Sequence, residues 1–139
     1  MNKTILNAWD NNNHKLKEYF RGTMQEEYNS YLGLLKKTIE IIFPEEVDEY
    51  REFRLDPERI TEINHGEYQG TLVFVIADDS YQPNADGHWY TSINYGSCSG
   101  CDTLEAIRNY SDELPNEDQV EAYWTLCLHM MQKIKQMEY

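Results

Sequence analysis

A chain of 139 residues with 40% hydrophobic and 13% aromatic side chains is long enough to bury one core and short for two, so a single domain over residues 1–139 is expected. Its 25 Asp and Glu against 12 Lys and Arg, a formal net charge of -13, disfavour direct binding to nucleic acid or an anionic membrane, whose phosphates are met by cations. No run approaches the roughly 20 apolar residues of a bilayer span, the first residues lack a signal-peptide core, and the cysteines are odd in number; a cytosolic protein with free thiols is therefore expected.

In chain order, Ile5, Leu6 and Trp9 predict one or two helical turns interrupted at Asp10 to Asn13, where Asn side chains compete for backbone groups. A second helix is expected from Asn12 or Asn13 to Gly22, with Leu16, Tyr19 and Phe20 inward. Thr23 and Glu26 fit a capping box, and Tyr28, Leu32, Leu35, Ile39 and Ile42 alternate spacings of four and three. That pattern predicts a core helix over residues 24–43, closed by Pro44.

Residues 45–58 form the most acidic block, with Val47, Tyr50 and Phe53 spaced for a short helix. Glu45, Glu46, Asp48, Glu49 and Glu52 are its candidate partner-binding carboxylates; a solvated helical face is the plainer reading of the same charges. Asp56-Pro57 signals a helix start, yet the β-branched residues after it favour a strand over 59–64. The unbroken apolar run Thr71 to Ala77 predicts a strand covered on both faces or central in its sheet. His88 to Tyr95 alternates, with Trp89, Thr91, Ile93 and Tyr95 on one side and His88, Tyr90, Ser92 and Asn94 on the other. The expected fold is α+β: a three-stranded antiparallel meander centred on 71–77, packed with four to five helices. The last two helices are a short one carrying Leu104, Ile107 and Tyr110, capped by Asp102 and Glu105, and a long one capped by Asn116 and Gln119. The long helix has a stripe from Val120 to Met137 that includes Cys127.

The stretch GSCSGC between strand and helix admits four readings. Gly96 to Gly100 outlines a nucleophile elbow around Cys98, with His88 as a possible base, but the hydrolase fold that carries such elbows is far larger. Cys98 and Cys101 supply only half of a tetrahedral zinc site, and Cys127 and His129, two apart on a helix, do not share a face to complete it. The backbone N–H groups of Ser97 to Thr103 could cradle a phosphate or carboxylate. On that reading Ser97, Cys98, Ser99, Gly100 and Cys101 are ligand-binding candidates, joined by Tyr90 and Asn94 on the neighbouring strand. The preferred reading is structural: glycines that allow a tight turn, small thiols that fill it, and a capped helix. No catalytic residue, metal ligand or cofactor is assigned.

The segments EYQGTLVFVI, SYQP, YGSCSGCDTLEAI and AWDNNNHKLKEYF together resemble a family of small proteins of bacteriophages and prophages. The resemblance implies strands on both sides of residues 65–70 and a setting of small accessory proteins that subvert a host; it supplies no catalytic residues. Joined to the charge excess, it leads to the expectation of a non-enzymatic protein that binds and inhibits a host protein with a basic surface, such as a nucleic-acid-handling defence enzyme of the CRISPR nuclease kind. The second expectation is a nucleotide- or phosphate-binding module using the Gly/Ser/Cys loop.

Overall fold

The computed structural model describes residues 2–28, 30–44, 53–64, 71–79, 87–94, 103–109, 111 and 113–137, apart from the side chains of Asn64 and Thr103. Helix α1 runs from Lys3 to Gly22, followed by a 3-10 turn at Gln25–Tyr28 and helix α2 at Tyr31–Ile42. Strands β1 (Leu55–Asn64), β2 (Thr71–Asp78) and β3 (His88–Asn94) follow, then helices α3 (Thr103–Arg108) and α4 (Glu117–Gln132) and a two-residue strand β4 (Lys135–Gln136).

The sheet is antiparallel in the order β1-β2-β3-β4. The expected meander is present and gains a fourth strand at its edge. Cross-strand pairs Ile76 with Trp89, Phe74 with Thr91 and Leu72 with Ile93 put their side chains on one face, and all six are buried. Thr91 donates its hydroxyl to the Met130 carbonyl at 2.8 Å, so this face meets α4. Helix α2 packs on β1, and α1 lies against both α2 and α4. The core draws on every helix: Ile5, Trp9, Leu16 and Phe20 from α1, Leu34, Leu35 and Ile39 from α2, Leu104 from α3, and Tyr123, Cys127 and Met131 from α4.

Four expectations about the elements are corrected. The Asn run does not interrupt α1, because Asn12 and Asn13 donate to the carbonyls of Ala8 and Trp9 one turn back. Asn12 also reaches Ile42 O at 3.1 Å, tying α1 to the end of α2. The predicted 24–43 helix is instead a 3-10 turn and a shorter α-helix, because Ser30, in extended backbone, caps α2 by accepting from Gly33 N. The short helix expected within 45–58 does not take in Phe53 and Arg54, and the strand expected over 59–64 is present and starts earlier, at Leu55, so that it includes Asp56-Pro57. The bulge between Leu55 and Ile60 takes up the proline, and an edge strand tolerates a residue without an N–H. Finally, α4 stops at Gln132 and the chain turns at Lys133 to place Lys135 and Gln136 beside Tyr90 and Trp89.

Strand β2 is interior to the sheet, but Val73 and Val75 on the side away from the helices are only half-buried, beside Ile63 and Tyr90, each 39% exposed. Its hydrophobic run thus reflects a central position, with helices on one face among the described residues. Asn109, directly after α3, has a φ of 50°, in the left-handed region that asparagine enters more readily than other non-glycine residues.

Candidate functional site

Glu45, Glu46, Asp48, Glu49 and Glu52 lie outside the described residues, as do Ser97, Cys98, Ser99, Gly100 and Cys101. Tyr90 and Asn94 are described, and they open on different hollows. Tyr90 borders a cleft of about 700 Å³ with Asn2, Trp89, Gln132 and Lys135. Asn94, whose Oδ1 accepts from the Thr71 hydroxyl at 3.0 Å, borders a groove of about 520 Å³ between the end of β3, Ile107 of α3 and one side of α4. The groove is lined by apolar Ile93, Ile107 and Leu126 and by polar side chains, with Asp118 and Glu121 toward one end of α4 and His129 and Lys133 toward the other.

Charge gathers at another place, where the end of α1, the 3-10 turn and the start of α4 meet. The Gln25 N–H donates to Glu113 O at 3.0 Å, and Arg21 bridges Glu18 at 2.7 Å and Glu117 at 3.1 Å. Lys17 pairs with Glu121 at 2.9 Å and stands over the Trp124 ring. The bond to Glu117, reinforced by Glu18, holds the Arg21 guanidinium still more firmly protonated than usual. Arg108, near Tyr123, bonds the Ser111 carbonyl. Glu26, Glu27 and Glu113, all exposed, have no ion-pair partner among the described residues. This end of the molecule is an acidic surface assembled from segments about ninety residues apart in the chain, on a scale that only tertiary contact bridges.

Sequence reasoning did not find that surface. Glu26 reads as a helix cap and Glu113 as part of a linker, and nothing local in either segment points to the other. The sulfur chemistry is plainer. Cys127 is completely buried beside Thr38, and burial pushes its thiol up to about 12, so it is a packing residue without thiolate character at neutral pH. Among the described residues no three His, Cys, Asp or Glu side chains converge as a metal site, and no helix is long and apolar enough to cross a membrane.

No family model, no curated protein and no solved structure matches the chain.

Proposed function

We propose that this chain is a binding protein that docks on a positively charged partner through its carboxylates. The observation that carries the reading is the acidic end formed by Glu26, Glu27 and Glu113, where side chains from two segments far apart in the chain stand exposed and unpaired among the described residues. Repulsion among such groups disfavours the free protein and is relieved when a cationic surface covers them. In the phage-type setting that the sequence resemblance implies, the partner is a host protein, such as a defence nuclease, whose basic surface ordinarily meets nucleic acid. Covering that surface is what would inhibit it. The carboxylates at positions 45–52 belong to the same reading as a second contact region.

Capture from host lysate at low and high salt tests it, with the triple variant Glu26→Gln, Glu27→Gln, Glu113→Gln run beside the native chain. A partner held at low salt should be released at about 0.5 M salt, where the screening length falls to a few ångströms, and should be lost by the triple variant. A partner indifferent to both changes would remove the support for an electrostatic docking surface.

A further inference from the structure

We infer that the groove beside α4 is a self-association surface, through which two copies of this chain pair their α4 helices antiparallel about a two-fold axis. The inference goes beyond the basic-partner reading and stands on the α4 groove, Asp118 included, and not on Glu26, Glu27 and Glu113.

Asp118, Ala122, Thr125, His129 and Lys133 follow one another at spacings of four, three, four and four, so they form one stripe along α4 to its C-cap Lys133, and all five line the groove. The middle of the stripe falls between Thr125 and Leu126. Asp118 and Lys133 are equally far from that middle, and so are Ala122 and His129. An isologous interface requires a surface complementary to itself: whatever lies at one distance from the axis must suit what lies at the same distance on the other side. Here a carboxylate lies opposite an ammonium at each end, roughly 22 Å apart along the helix at 1.5 Å per residue. Both groups are exposed and neither makes an ion pair within the chain among the described residues. Nearer the axis stand Ala122, Thr125 and Leu126, flanked by His129 and by Glu121, whose carboxylate is tied to Lys17 of its own chain. Ala122 and Thr125 let two helices approach to the 8–10 Å of ordinary helix packing, with Leu126 beside them.

Charge also selects this occupant over a cationic one. A purely basic segment would suit Asp118 and Glu121, the latter already held by Lys17, but would meet Lys133, whereas a second α4 in the reverse direction satisfies both ends. The same pairing gives two molecules of net charge -13 a local attraction where their overall fields repel.

Sedimentation velocity of the full chain over a concentration series tests this, with circular dichroism confirming that each variant is folded. The native chain should form a dimer as concentration rises. Asp118→Lys and Lys133→Asp each place like charges opposite one another at both ends, and each should weaken the dimer by about tenfold or more. The combination of the two exchanges the signs and should restore the dimer. Thr125→Glu, at the half-buried axis position, sets two new carboxylates against each other and should give a folded monomer. A native chain that stays monomeric, a dimer that the single changes leave intact, or a double variant that fails to recover would each overturn the inference. Loss of capture by the Glu26, Glu27 and Glu113 variant with an unchanged dimer would leave the two surfaces separate.

Discussion

Tyr123 on α4 donates its phenolic hydrogen to Gln25 Oε1 at 2.7 Å, inside a cluster of aromatic rings formed by Phe20, Tyr28 and Tyr123. Both residues are fully buried, and the Gln25 Nε2 group has no partner among the described residues. An amide in that position is half satisfied. Removing its remaining bond with Tyr123→Phe should cost about 1–3 kcal/mol, because the carbonyl end is then buried without a donor. Replacing the whole polar pair with Gln25→Leu and Tyr123→Phe should recover most of the loss. Urea unfolding of the two single variants and the double variant measures both effects, and additive losses would contradict this account.

The start of α4 carries a reciprocal cap: Asn116 Oδ1 accepts from Gln119 N at 2.8 Å and Gln119 Oε1 accepts from Asn116 N at 2.9 Å. Gln119 also donates to the Ile107 carbonyl, so the cap fastens α3 as well. Asn116→Ala should lower stability by about 1 kcal/mol. Gln119→Ala should lower it further and increase hydrogen exchange in α3, an effect that a helix-propensity change alone would not produce.

Alkaline conditions should unfold the protein through groups that the core keeps neutral. Burial raises the Cys127 thiol from 9.0 to about 12 and the Tyr123 phenol from 10.0 to about 12. In the unfolded chain both lose protons first, so the unfolded state gains relative to the folded one as pH rises above the unfolded values. Stability should therefore be level below about pH 8.5 and fall progressively toward pH 12. Cys127→Ala should lose about 1 kcal/mol at neutral pH through lost packing, yet show a shallower alkaline decline. Denaturant midpoints collected across that range decide it; an unchanged slope would assign the decline to other groups.

The outer edge of β1 is defended, since it carries Pro57, a bulge and the exposed charges Glu58, Arg59 and Glu62. Glu58 is also tied to Lys36 of α2 at 3.3 Å. Pro57→Val together with Glu62→Val should leave a flatter, less charged edge that pairs between molecules. Light scattering at elevated protein concentration should rise well above that of the native chain while the spectrum of the soluble fraction stays the same.

The elements with strong local signals could be read in the sequence, and those decided by distant contacts could not. The alternation of His88 to Asn94 is written into residue polarity, and the central place of β2 into its apolar run; the Asn116–Gln119 cap is visible as a spacing. The continuity of α1 was hidden, because the Asn side chains that argue for a break bond back to carbonyls of the same helix, and Asn12 gains the further Ile42 carbonyl only when α2 is packed beside it. Strand β4 was hidden too: its two residues extend only because β3 offers an edge, Met137 N donating to His88 O at 2.9 Å. Of the candidate site residues, Tyr90 and Asn94 were correctly placed on one strand face, but the structure separates them between two hollows. The acidic end escaped because its carboxylates come together only through the contact of Gln25 with Glu113.

Helix α1 buries Trp9 against Trp124, with ring centroids 5.3 Å apart, and Trp124 Nε1 donates to Asn13 O. On a ribosome, the first helix therefore emerges long before the surface that shelters its indole. Until α4 is made, α1 has α2 and the 3-10 turn to pack against but lacks the cover of Trp124, and it should leave the tunnel sticky rather than settled. Assembly of this molecule is thus deferred to the arrival of its last long helix, and a holdase has its best purchase during that wait.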